Sequence, residues 1–354
     1  MARWCRVILL LLIVGMPLLS AAEPLRILVP AFVGPQPLSQ HVRTTVFLEM
    51  IKAFQARDKP ERGAWILYGE QPLESASHAS AVNAASWPSV RADLAVWGQV
   101  YQFEEGAVLQ LSLSLTPLLA KRHVRPEVWQ VELLGSDGPL TIKKGLPSEY
   151  YEFEPLVLSR DAIVQFKDPQ GIALYSSRYG GHRIGALHEV MRFYEIHEDA
   201  MLIATGGKRG WVRMHSISNV ESETIHFCKG MVRLLRGDYA GARKSFSAVL
   251  EIPLVPQRLR THSLIYLGLA RELAGYNGSG QFEQAYKLNR LDKDAASYLL
   301  MSKLANISRL QQGAEEMLVT EIGKFKRLLR SLQVLYAKDD SWFNNLKSMA
   351  NQLH

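Results

Sequence analysis

Cysteine is scarce in this chain: Cys5 and Cys228 are the only two in 354 residues. Cys5 falls in a leader-like start, where Arg3 and Arg6 precede an apolar run from Val7 to Leu19 closed by Ser20-Ala21-Ala22. That order is the pattern of a secretory signal peptide over residues 1–22, with cleavage expected before Glu23. The run is shorter than the roughly 20 residues that span a bilayer, and the small residues ahead of Glu23 favour removal, retention as an anchor being the other reading. The mature chain then keeps Cys228 alone, which excludes an intramolecular disulfide and leaves buried apolar area to hold the fold. An exported chain without disulfides suits a bacterial periplasm, so Asn277-Gly278-Ser279 and Asn306-Ile307-Ser308 read as chance sequons. No second apolar run of about 18 residues follows, and no membrane span is expected after cleavage. One-signed charge is scarce as well. The excess of +7 falls by two when Arg3 and Arg6 leave, too little to imply a nucleic-acid partner.

Catalytic signatures are missing too. His188-Glu189-Val190-Met191-Arg192 ends in arginine where a zinc helix needs a second histidine. His182, His188, His197 and His215 share one segment, but their spacings match no common ligand set, so they read as structural. His226 and Cys228 lie two residues apart on a predicted helix, pointing about 200° away from each other, so they cannot act as a base and its nucleophile. There is no G-x-S-x-G elbow and no G-x-x-x-x-G-K-[ST] loop. The expectation is a non-enzymatic protein with no catalytic residue, cofactor or metal.

What is present divides into three segments of different period. Residues 23–150 read as α/β. Leu25–Phe32 is an apolar run bounded by Pro24 and the Gly34-Pro35 turn, hence a buried strand; Val42, Val46, Phe47, Met50, Ile51 and Phe54 recur at helical spacing. Residues 65–69 form a second strand, and the small residues of 76–85 a short helix. Residues 92–117 then predict a hairpin turning at Glu104-Glu105-Gly106, whose LQLSLSL arm alternates so that one face is buried and the other wet. With Trp97-Gly98 in its first arm, the series resembles the TolB-type amino-terminal domain of periplasmic proteins, a resemblance that implies protein contacts and carries no catalytic residue.

Residues 151–218 are dense in short strands, the spacing of a small all-β barrel. Ala173-Leu174-Tyr175-Ser176-Ser177-Arg178 opens the series, Arg183–Leu187 leads to an aromatic-rich strand, and Gly210-Trp211-Val212 closes it. From Ile172 to Ile217 this is similar to the bacterial Src-homology-3-like domain, which implies binding of cell-wall peptides or a spacer role. The sequence departs where Met191–Ile203 lacks a tryptophan. Surface aromatics would touch a ligand, since rings supply contact area at low entropic cost, and Tyr175, Tyr179, Tyr194 and Trp211 are the candidates. Gly206-Gly207-Lys208-Arg209-Gly210-Trp211 leads into an alternating strand and not a helix, so it predicts a hairpin turn instead of a phosphate loop.

Residues 219–354 switch to helical period. Gly230, Gly237, Tyr239, Ala242 and Phe246, restarting at Leu267-Gly268 and Ala285, resemble tetratricopeptide repeats. The intervals Gly230–Gly268 and Ala242–Ala285 are 38 and 43 residues, against about 34 in a strict repeat, so both carry insertions. A helix over 313–338 places Leu318, Ile322, Phe325, Leu329, Leu332 and Tyr336 on one face and Lys324, Lys326, Arg327 and Arg330 on the other, the pattern of a cap with a solvated basic side, a coiled-coil seam or an anionic membrane contact being the other readings. The resemblance implies a concave groove for a peptide, with Lys229, Arg233, Tyr266, Leu269 and Arg271 as candidate lining residues. Together the segments predict a multidomain α+β periplasmic adaptor or scaffold that binds envelope proteins. The alternative is a peptidoglycan-binding protein acting through the barrel.

Overall fold

The computed structural model describes residues 24–55, 64–104, 106–118, 129–158, 163, 171–188, 191–197, 199–213, 223–311 and 315–353. The predicted leader and His215 lie outside them. Strand β1 (Leu25–Ala31) pairs in parallel with β2 (Ala64–Pro72) on one side and β3 (Leu94–Gln102) on the other. Helices α1 (Leu38–Gln55) and α2 (His78–Ser86) make the crossovers. Strand β4 (Ala107–Leu115) returns antiparallel along β3 and also pairs β7 (Tyr150–Glu152) and β8 (Leu156–Leu158), so the first sheet runs past the boundary expected near residue 150.

This sheet is covered on both faces. Ile27, Val96, Leu109, Leu111 and Leu113 join the core shared with α1, while Leu28, Ala95 and Trp97 pack against Ala81 and Ala85 of α2. The expectation that the serine face of LQLSLSL is wet is therefore corrected. Ser112 and Ser114 are buried, and the Ser114 hydroxyl accepts from Trp97 Nε1 at 2.8 Å and meets His78 Nδ1 at 3.0 Å. A mixed sheet with a helix on each side leaves no solvated face here, and the hydroxyls are buried because they find partners.

Between β4 and β7 a separate hairpin, β5 (Trp129–Gly135) and β6 (Gly138–Lys144), stands off the sheet. Strands β9 (Ala173–Tyr175), β10 (Arg183–Ala186), β11 (Met191–Ile196), β12 (Ala200–Thr205) and β13 (Lys208–Arg213) form a second, antiparallel sheet in the order β10-β9-β13-β12-β11. It is open: no pairing joins β10 to β11 among the described residues, so a closed barrel is not formed. Gly206 and Gly207, at φ 54° and 74°, make the two-residue turn between Thr205 and Lys208, the left-handed geometry that tight hairpins favour.

The carboxy-terminal region is helical: α3 (Ile225–Leu235), α4 (Tyr239–Glu251), α5 (Gln257–Leu273), α6 (Ser279–Leu288), α7 (Lys293–Leu310), α8 (Glu315–Leu332) and α9 (Ser341–Gln352). From α3 to α8 each helix packs on the next. Ala242 and Ala285 are buried, and Gly230 and Gly268 let the Phe246 and Phe282 rings lie directly on α3 and α5. The helix expected over 313–338 is shorter. It stops at Leu332, and after a short 3-10 turn the chain reverses into α9, with Tyr336 stacked on Phe343 at 4.1 Å. Asp340 caps α9 by accepting from the Phe343 N–H at 2.9 Å. The apolar faces read for that helix hold: Ile322, Phe325, Leu329 and Leu332 are buried. Among the described residues no helix is long and apolar enough to cross a membrane.

One joint carries a titratable group. Glu223, buried at the start of the helical region, accepts from the Glu154 N–H at 3.0 Å, and burial above all pushes its carboxyl up to about 7. The folded form therefore resists ionisation. The cost is absent below the usual carboxylate pKa near 4.5 and grows as pH rises to about 7. Glu223→Gln keeps an acceptor and removes the charge, so it should stabilise the protein at pH 8 by on the order of 2 kcal/mol while changing little at pH 4. Urea midpoints at the two pH values check this, and equal effects at both would refute it.

Candidate functional site

The groove expected along the helices is filled from within. Tyr151 of β7 lies against Phe227 with ring centroids 4.8 Å apart and against the His262 edge at 5.5 Å, and its hydroxyl bonds that of Tyr266. Trp129 of the β5–β6 hairpin stacks on Phe282 at 5.2 Å and on Tyr298 at 6.3 Å. Helix α7 then satisfies the free edge of β5. Gln311 accepts from the Leu134 N–H at 2.9 Å and donates to the Leu134 carbonyl at 2.7 Å, and Ser308 donates to the Glu132 carbonyl at 2.6 Å. An edge strand otherwise offers these groups to another chain.

The residues proposed for that groove are accordingly engaged inside the molecule. Tyr266 is 0% exposed, and Leu269 is equally buried, which corrects their placement on an open surface. Arg233 donates to the Gly241 carbonyl at 3.2 Å and to Ser245 Oγ at 2.7 Å, tying α3 to α4. Arg271 Nε donates to the Asn277 carbonyl at 2.8 Å across the α5–α6 turn. Lys229 is half-buried on α3. Burial pushes the Cys228 thiol up to about 12, which suits the inert core residue its spacing suggested.

The ends of the parallel strands, where α/β sheets commonly hold ligands, are also occupied. The Arg43 guanidinium of α1 lies 3.6 Å from the Tyr68 ring centroid and donates to the carbonyls of Val29 and Gly69. A cavity of about 310 Å³ opens beside it, between α1 and the second sheet, lined by His41, Thr44, Tyr68, Leu187 and His188.

On the second sheet Tyr179 is exposed, and Tyr175, Tyr194 and Trp211 are half-buried. Its inner face, Leu174, Met201, Ile203 and Val212, is buried, and Phe193 reaches Phe47 of α1 with centroids 6.3 Å apart. On the outer face Tyr175, Trp211, Leu202 and Glu195 stand opposite one another in a single row. Arg209, Trp211 and Arg213 alternate onto that face along β13, and Arg192 opposes Ala204, which opposes Arg209. Each tyrosine carries a guanidinium: Arg213 over Tyr175 at 5.3 Å, Arg178 over Tyr179 at 5.3 Å, and Arg209 over Tyr194 at 4.2 Å. Trp211 has the His197 ring 5.7 Å away.

No family model, curated protein or solved structure matches this chain. The assignment therefore rests on the geometry of this face. Tyr179 is 82% exposed, held by an Arg213 bond to its carbonyl at 2.9 Å. Arg178 pairs with Asp199 at 2.6 Å, which holds that carboxyl below its usual range, whereas Arg192, Arg209 and Arg213 have no acidic partner within ion-pair distance among the described residues. Stacked rings beside guanidinium groups can bind planar groups and carboxylates together. The sequence located all four aromatics; the arginines came with them only through strand register.

Proposed function

We propose that this chain is a non-enzymatic adaptor of the cell envelope whose recognition surface is the outer face of the second sheet, presented on a helical scaffold. The observation that carries the reading is the clustering of Tyr175, Tyr179, Tyr194 and Trp211 with Arg192, Arg209 and Arg213 on that face, while the helical groove holds the chain's own hairpin. The resemblances to a TolB-type domain, a Src-homology-3-like domain and tetratricopeptide repeats support an exported, periplasmic setting and a role in protein contacts. The favoured occupant is a carboxylate-bearing segment of an envelope protein. Peptidoglycan is the second reading, supported by the same surface because its peptides end in carboxylates.

A photoreactive residue at position 179, crosslinked in intact envelopes, should capture a defined protein. Trp211→Ala and Arg209→Glu should each reduce capture ~10-fold or more, as loss of a stacked ring or a charge-assisted bond warrants, with folding intact. Retention on purified sacculi that the same substitutions abolish would transfer the assignment to the second reading. Capture unaffected by both substitutions would overturn the site.

A further inference from the structure

At the junction of hairpin and helices, donor groups from α5 and from the start of α7 converge. His262 on α5 is 1% exposed, and its Nε2 faces Asp292 Oδ2 at 3.8 Å and Asp294 Oδ2 at 4.0 Å. The three ligating atoms lie within 4.8 Å of one another. Each carboxylate already uses its other oxygen: Asp292 Oδ1 caps α7 by accepting from the Ala295 N–H at 2.8 Å, and Asp294 Oδ1 faces Lys144 Nζ at 3.7 Å. The two remaining oxygens are aimed at one imidazole nitrogen.

No hydrogen bond accounts for this aim. An N–H donating to a carboxylate would sit at about 2.7–2.9 Å, and neither oxygen approaches that closely. His262 Nδ1 is buried with no hydrogen-bond partner, so nothing on its far side explains the ring orientation either. A neutral imidazole keeps a lone pair on one of its two ring nitrogens, and that nitrogen can ligate a cation. With the tautomer that directs this lone pair at the carboxylates, three electron-rich atoms face one another, an arrangement a cation between them would relieve.

We propose that His262, Asp292 and Asp294 form a binding site for one divalent transition-metal ion of the zinc class. Ligands of such an ion lie about 2.0–2.2 Å from it and therefore ~3–4 Å from one another, and the two histidine–carboxylate spacings, 3.8 and 4.0 Å, fall at the upper end of that range. One nitrogen and two carboxylate oxygens are its customary donors, and the N-terminus of α7 holds both carboxylates in place. Three protein ligands leave a coordination position for water, and the partial exposure of Asp294 leaves a way in. The ion would join α5 to α7 directly beneath Tyr151 and so lock the hairpin side of the molecule to its helices. The site is separate from the recognition face and does not depend on that reading.

Zn(II) titrated calorimetrically into metal-stripped full-length protein should bind with a stoichiometry of one. Co(II) in its place should develop the visible absorption of a four-coordinate nitrogen–oxygen site. His262→Gln and Asp294→Asn should each weaken that site by ~100-fold or more, since even outer-shell changes typically cost 10–100-fold. His182→Ala, in the exposed turn before β10, should leave it unaltered. Asp294 is at a helix terminus and partly exposed, so its variant keeps the test valid where the buried His262→Gln fails to fold. Absence of stoichiometric binding, or binding that Asp294→Asn leaves intact, would overturn the proposal.

Discussion

Trp129→Ala is expected to lower folding stability by about 3–5 kcal/mol, a large part of what holds an average domain together. The indole is 6% exposed and lies between the hairpin and two aromatic rings, Phe282 and Tyr298, nearly parallel to both at 19° and 12°. Truncation leaves a cavity bordered by α6 and α7, and neither helix can close it, because Gln311 and Ser308 hold β5 at a set distance. Urea denaturation followed by tryptophan fluorescence and by circular dichroism checks both size and cooperativity. Separation into two transitions would show that the tryptophan couples the helices to the sheet. A loss below about 1 kcal/mol would mean the hairpin contributes nothing to the fold and that the groove is open to outside peptides.

The second large effect is expected from single methyl groups. Alanine normally gains about 1 kcal/mol over glycine inside a helix. At Gly230 and Gly268 the sign should reverse, because a Cβ would sit 2.7 Å from ring carbons of Phe246 and Phe282 respectively. Both rings are fully buried and stacked on tyrosines, Phe246 on Tyr266 at 5.1 Å and Phe282 on Tyr298 at 5.8 Å, so neither can swing aside. Overpacking of this kind costs roughly 1–3 kcal/mol, enough to exceed the propensity gain. Gly230→Ala and Gly268→Ala should therefore each lower the urea midpoint, and Phe246→Leu or Phe282→Leu in the matching double variant should recover part of the loss. Stabilisation by either alanine would show that the helix pairs are not in ring-to-backbone contact.

These two cases differ in how legible they were. The order Gly230, Ala242 and Phe246, restarting at Gly268 and Ala285, resembles tetratricopeptide repeats, and that resemblance implied close helix pairs. The β5–β6 hairpin was not read from the sequence, although Trp129, Val131 and Leu133 recur at every second position ahead of Ser136-Asp137-Gly138. What the chain could not announce was where that hairpin would go. Its destination depends on contacts between residues 129 and 298, far outside any local period.

The proposed recognition face shows the same division. Tyr175, Tyr179, Tyr194 and Trp211 were identifiable because aromatic residues in short strands are few and conspicuous. Arg192, Arg209 and Arg213 became part of the same surface only when β11, β12 and β13 aligned in one register, as register decides which side chains share a face. Tyr266 failed in the opposite direction. As a helix residue with a polar tip it suited an exposed groove, but Tyr151 supplied a buried partner for its hydroxyl and removed the cost of taking it out of water.

By itself, the sequence determined element type and local pairing: strand or helix from apolar period, the Gly206-Gly207 turn from glycine's freedom at positive φ, and the close helix pairs from small residues at set intervals. Each of these depends on interactions within a few turns of chain. Tertiary structure alone decided that both sheet faces are covered, that Tyr151 and Trp129 pack against the helices, and that His262, Asp292 and Asp294 meet. Those outcomes require strands and helices to bury their remaining apolar faces against one another, and the partner each finds lies at a sequence distance on which local physics is silent.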